Sequence, residues 1–167
     1  MQDFFDPANQ MERWESHPPA LPADILALIR KEYLGEILGC PVWGVDGDFV
    51  RNNVHVDFCV GGNAARYRYV PQWEFWLDVA KPDDRAATLA HELTETLLMR
   101  WKGMDYETAH ECANSVEVPF RRAISEGLVV VNDPVVSALE WLMQLGDAPR
   151  EVQALAMAAK VAHRWSR

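Results

Sequence analysis

The chain has 167 residues, enough to bury a sizeable core without disulfides or structural metals. It carries a formal charge of −9, with 49% hydrophobic and 25% charged residues; this is a globular composition whose acidic balance disfavours phosphate backbones and hence nucleic acid. Three cysteines without a CxxC pair (Cys40, Cys59 and Cys112) argue against a disulfide framework and for a reducing, cytoplasmic setting.

Taken in chain order, residues 1–20 read as irregular, with Pro7, Pro18 and Pro19 and neither the basic start nor the apolar stretch of a signal peptide. From Pro22 to Leu38 the spacing of Ile25, Leu28, Ile29, Leu34, Ile37 and Leu38 predicts a helix stopped by Gly39. Residues 40–50 form a loop or short strand. Alternation of Val54, Val56, Phe58 and Val60 predicts a strand over 53–60. Gly61-Gly62-Asn63 reads as a turn into a second strand, 65–70, giving an antiparallel hairpin; 74–79 (EFWLDV) is a third strand.

The pattern then turns helical. Asp83-Asp84 starts a helix whose apolar positions run from Ala86 to Trp101, with Gly103 as its stop. A second helix covers 105–117, with Asp105 as N-cap and Pro119 limiting its extent. Residues 120–127 are helical and end at Gly127, and two further helices span about 134–145 and 149–164. Arg121-Arg122 reads as a solvated helix end. No apolar run reaches the roughly 20 residues of a membrane span. The expectation is one α+β domain over 1–167: an irregular N-terminal segment (1–20), a core at 50–118 and a helical C-terminal extension at 120–167. In it, a small antiparallel or mixed sheet from residues 50–80 packs on the helices at 86–102 and 104–118, with further helices at both ends.

The chemistry concentrates in AHELTETLLMRWKGMDYETAHECANSVE, residues 90–117. His91 and Glu95 are four apart, so on a helix they share a face, about 6 Å apart along the axis. Two ligands at i and i+4 with an intervening glutamate base are the physical content of HExxH; here Glu95 takes the second histidine's place. The next helix offers His110, Asn114 and Glu117 at i, i+4 and i+7, again one face. The assignment is His91, Glu95 and His110 as ligands of a divalent metal, zinc first, with Glu92 as general base. Glu117 is the competing third ligand, and Asn114 hydrogen-bonds a ligand or substrate oxygen. No other cofactor is expected.

The order of strand EFWLDV, acidic turn and helix ATLAHELTE resembles the active-site region of zincin metallopeptidases, over residues 73–117. A third ligand from the following helix is similar to the gluzincin layout. The resemblance implies a zinc-dependent peptidase-like hydrolase, a peptide or protein substrate, and an edge strand over the cleft to which that peptide adds. The segment also resembles uncharacterised prokaryotic and phage proteins with HExxE followed by AHxxANxxE.

Two competing readings stand beside this one. A non-enzymatic phage or mobile-element protein would carry a structural or vestigial metal site and bind a partner protein. A di-iron bundle would use Glu107 and His110 as ExxH. His17, His55 and His163 read as surface residues, Cys112 as a small buried filler, and Trp73 and Trp76 as core anchors.

Overall fold

The computed structural model describes residues 23–146 and 148–165. The expectations for residues 1–20 and His17, and the side chain of His163, lie outside the described residues. Among the described residues the fold is α+β, with six helices and one small mixed sheet.

The first helix among the described residues is a single short turn, α1 (Ala23–Ala27), rather than the helix predicted to Leu38. Residues 31–45 instead form a hairpin, β1 (Lys31–Ile37) and β2 (Cys40–Val45), paired antiparallel. The apolar spacing misled because the register shifts between Tyr33 and Gly35, where Gly35 has φ 145° and lets the backbone close on Val135. Leu38 and Gly39 both have positive φ (52° and 80°), so the two residues that looked like a helix end are a two-residue hairpin turn of the I′ kind.

The strand expected over 53–60 is also absent. Asp46 caps α2 (Gly47–Asn53) by accepting from the Phe49 amide, and the chain then turns. Val54 and Phe58, four apart, are buried while Val56 is 77% exposed, so the apolar alternation does not mark one face. The carbonyls of Phe58 and Cys59 accept from Arg51 Nη1 instead of a neighbouring strand. Residues 65–70 likewise form turns, closed by Tyr67 N donating to Asn63 O and Val70 N to Tyr67 O. There is no hairpin at 53–70; Gly61–Gly62 is itself a two-residue strand, β3.

The expected third strand is present as β4 (Phe75–Asp78), buried on both faces. Strand order is β1-β2-β4-β3, with β4 parallel to β2 and antiparallel to β3. β4 is therefore interior, which corrects the expectation of an edge strand. Its alternate side chains serve two cores: Phe75 and Leu77 face the helices, and Trp76 faces a cluster with Val45, Val50, Phe58 and Tyr67.

After a 3-10 turn at Pro82–Asp84 comes α3 (Arg85–Lys102), ended by Gly103 at φ 63° in the left-handed region, as the sequence predicts. Asp105 then caps α4 (Tyr106–Ser125) through the Thr108 amide. Pro119 does not end α4. Ala109, Ala113, Val116, Phe120 and Ala123 form one continuous buried stripe through it, and Trp141 Nε1 donates to Val116 O just before it. That packing outweighs the ~3 kcal/mol that proline costs inside a helix. α5 (Pro134–Gln144) and α6 (Arg150–Trp165) follow as expected and complete the helical layer. No helix of the described residues is long and apolar enough to cross a membrane.

α3 is the hub. Thirteen of its eighteen residues are buried, with the sheet on one side and α4 and α5 on others. Its polar residues therefore need partners inside the protein. One of these partners, Asn63, is delivered by β3. A Cβ on Gly62 would stand 2.3 Å from the Tyr67 ring, so only glycine lets this loop close. Gly62→Ala should destabilise the protein by about 1–3 kcal/mol, the usual cost of overpacking, in urea unfolding. An unchanged midpoint would show that the loop is not closely packed there.

Candidate metal centre

The loop joining α3 and α4 is three residues long, so the helices run antiparallel as neighbours. Partners accordingly run backwards along α3 and forwards along α4: Glu95 meets His110, His91 meets His110 and Glu117, and Thr88 meets Arg121.

Three donor atoms converge. His91 Nε2 lies 3.5 Å from Glu95 Oε2 and 3.2 Å from His110 Nδ1, and His110 Nδ1 lies 2.9 Å from Glu95 Oε2. Ligands on a tetrahedral zinc at 2.0–2.1 Å stand about 3.3 Å apart, and the triangle brackets that value. His91, Glu95 and His110 are thus brought together as predicted, and they are the group among the described residues suited to hold one cation. His91 and Glu95 are buried, at 6% and 1% exposure, whereas the His110 side chain is 40% exposed and opens the cluster toward solvent. Tyr106 stacks on the His110 ring, with centroids 5.4 Å apart and planes 19° from parallel.

Glu117 does not join the triangle. Its Oε2 sits 2.8 Å from His91 Nδ1, on the other side of the imidazole, as an ion-pair contact of oblique geometry rather than an aligned hydrogen bond. A carboxylate at Nδ1 favours a proton there and leaves Nε2 as the free donor. Glu117 is held in turn by Arg121, whose Nε and Nη2 donate to Glu117 Oε1 at 2.8 and 2.6 Å. Arg121 was expected to be solvent-facing; it also reaches Thr88 Oγ1 (3.0 Å) and pairs with Asp84, while Arg122 is exposed as expected. Asn114 is half-buried and takes no part in the hydrogen-bond network of the cluster among the described residues.

Asn63 is the residue that sequence reasoning missed. It is 3% exposed, and its Nδ2 donates to Glu92 Oε2 (2.6 Å) and to Glu95 Oε1 (3.0 Å). Its Oδ1 accepts from the Ala65 amide at 2.8 Å, which fixes which end of the amide faces the carboxylates. The Gly-Gly-Asn signal was visible but reads equally as a hairpin turn. Other expectations resolve as follows. His55 is half-buried against Tyr67 and Tyr69 instead of facing solvent. Cys112 is half-buried against the helical core, Trp76 is core, and Trp73 is 57% exposed with Arg100 stacked 3.7 Å from its ring. Glu107 is exposed and outside the cluster, which removes the ExxH pair a di-iron bundle would need.

The electrostatics follow from burial and from the carboxylates. Burial pushes the His91 imidazolium down, but Glu117, Glu95 and Glu92 outweigh it and raise its pKa to about 10. Burial, reinforced by Glu95, pushes Glu92 up to about 8. Glu95 and Glu117 go the other way: burial opposes their ionisation, yet the His91 imidazole beside both, hydrogen bonds from Asn63 and His110 to Glu95 and from Arg121 to Glu117 hold them below the usual carboxylate range. The raised His91 contributes stability that is complete below its unfolded value near 6.5 and is lost as pH rises through about 10. A cation at Nε2 must displace that proton. Zinc affinity should therefore rise about tenfold per pH unit between roughly pH 6 and 8, measured by competition with a chelating indicator. A pH-independent affinity would contradict the assignment, and so would His91→Ala or His110→Ala variants that bind zinc as tightly as the parent.

Comparison with protein-family models, curated proteins and solved structures finds no match for this chain.

Proposed function

We propose that the protein is a metal-dependent hydrolase, with zinc as the ion, in which His91, Glu95 and His110 hold the cation and Glu92 is the general base. The observation that supports this reading most is the triangle of donor atoms contributed by α3 and α4, with edges of 2.9, 3.2 and 3.5 Å. Glu117 lies behind His91 rather than in the triangle, so the described residues offer three donors, the number typical of catalytic rather than structural zinc. A divalent cation supplies Lewis acidity for polarising a carbonyl or activating water.

The chain's own residues supply the rest. Glu92 neighbours His91 and is fastened to Glu95 through the Asn63 amide. Only its Oε2 is engaged by that amide; Oε1 takes no hydrogen bond among the described residues. A carboxyl group titrating near 8 sits close to neutral pH, where it can accept a proton and return it within one cycle. Tyr106 and the half-exposed His110 stand on the solvent side, which is where substrate would arrive.

A peptide or amide is our substrate class, and it comes from the zincin resemblance of residues 73–117. The route implied by that resemblance needs revision. β3 already pairs with Leu77 and Trp76 of β4, and β2 with its other side, so an extended peptide would not add to β4 there. We also place the protein in the reducing cytoplasm, where the free thiols Cys40, Cys59 and Cys112 remain reduced. The competing class is a protein-binding module with a structural ion, which would complete its coordination with a fourth protein donor.

Glu92→Gln separates base from ligand. The variant should bind zinc about as tightly as the parent and lose hydrolysis of a quenched-fluorescence peptide library by about 10²–10⁴-fold. Undiminished turnover in this variant would remove Glu92 from the mechanism. Zinc-loaded parent protein inert toward peptide, amide and ester panels would favour the binding module.

A further inference from the structure

Arg121 is the residue of the cluster's surroundings that the hydrolase reading leaves without a role. It stands on α4 one turn beyond Glu117, and its guanidinium is spent entirely on the site's supports. Nε and Nη2 grip Glu117 Oε1, Nη2 also reaches the buried Thr88 Oγ1, and Nη1 pairs with Asp84 at the start of α3. Asp84 occupies the N-cap position of α3 but makes no capping bond to that helix; its carboxylate turns to Arg121 instead. Glu117 in turn spends its other oxygen, Oε2, on His91 Nδ1 at 2.8 Å. The result is one unbroken chain, Asp84–Arg121–Glu117–His91, running from the N-terminus of α3 across to α4 and back to α3.

We propose that Arg121 is a positioning residue of the metal centre: it fixes Glu117 behind His91, and so holds the imidazole with Nε2 turned toward Glu95 and His110. The inference rests on the metal-site reading above and extends it to a residue that touches no ligand atom. Three properties of this arginine suit the task. Its planar fork bonds two nitrogens to one carboxylate oxygen, which sets an angle that a single ammonium contact would leave free. Because it grips Thr88 of α3 and Asp84 just before it, it ties the orientation of Glu117 to the helix that carries His91 rather than to α4 alone. Its positive charge also keeps the Glu117 carboxylate available to the imidazole in a half-buried setting. Without it, Glu117 has a single remaining partner, His91, and the ring loses its external reference.

A double-mutant cycle on zinc affinity is the test, read by chelator competition on the full chain at fixed pH. Glu117→Gln should weaken zinc by about 10–100-fold, the usual effect of removing a ligand's supporting carboxylate. Arg121→Met should weaken it by about tenfold, and Arg121→Lys by less, since one ammonium recovers the charge but not the fork. The decisive number is the combination: Glu117→Gln/Arg121→Met should bind zinc no more weakly than Glu117→Gln alone, because Arg121 acts only through Glu117. A purely structural role for Arg121 would make the two losses multiply, and that result overturns the inference. So does an Arg121→Met variant with parental affinity. Arg121→Lys covers the case in which the methionine variant does not fold: parental affinity in the lysine variant, with the fork removed, would equally overturn it. Parental protein that binds no zinc would end the metal reading itself, a failure distinguishable from that of the Arg121 inference.

Discussion

A helix buried nearly all round can carry His91, Glu92, Thr94 and Glu95 only if each of those groups finds a partner inside the protein. Leaving one polar group unpaired there costs about 2–7 kcal/mol, and an uncompensated charge costs more. α3 meets this constraint with three outside helpers: His110 from α4, Asn63 from the β3 loop, and Glu117 backed by Arg121. Thr94 closes on its own helix, through Ala90 O at 2.7 Å. Hydrophobic residues at these four positions would pack the same space at far less risk. The convergence of three donor atoms from two helices is an arrangement that could hold a cation.

The rest of the fold can be read as the means of bringing those helpers in. Gly103 ends α3 in a left-handed turn and Asp105 restarts the chain three residues after Lys102, so α4 has to return along α3 and bring His110, Glu117 and Arg121 past it in order. The sheet holds β3 against β4, and the close approach of Gly62 to Tyr67 leaves the next residue, Asn63, facing the two carboxylates. Burial then does the electrostatic work. The same enclosure that raises Glu92 leaves Glu95 depressed, because both imidazoles and Asn63 contact Glu95 directly, whereas Glu92 is hydrogen-bonded by the Asn63 amide alone and feels His91 only through its charge. Two carboxylates three residues apart are thereby shifted in opposite directions, Glu92 toward the protonated form and Glu95 toward the ionised one.

The helical C-terminal half of the chain was legible because its signals are local and mutually consistent. Periodicity, an Asp N-cap and a glycine stop agree over α3 and α4, and the i, i+4 and i, i+7 polar spacings place His91, Glu95, His110 and Glu117 on facing stripes. Much of the N-terminal half was not legible because its signals are ambiguous. Leu34, Ile37 and Leu38 fit a helical stripe as well as a bulged strand, and Val54 to Val60 alternate in sequence while the backbone turns. Asn63 could not be placed from sequence, because its contacts to Glu92 and Glu95 span 29 and 32 positions of chain. Arg121 had one local signal, its i, i+4 spacing from Glu117, but its reach to Thr88 and Asp84 spans 33 and 37 positions, which no local pattern encodes. The division between ligand and support was also beyond reach: spacing puts Glu117 on the right face, but only the fold decides which imidazole nitrogen it meets.

X-ray absorption at the zinc edge of zinc-treated protein tests the proposed shared cation most directly. The account predicts one zinc per chain with only nitrogen and oxygen neighbours at about 2.0–2.1 Å, two of them imidazoles, and a coordination number that three protein donors do not exhaust. Sulfur in the coordination sphere, a single imidazole, or protein that emerges from zinc loading without the metal would contradict it.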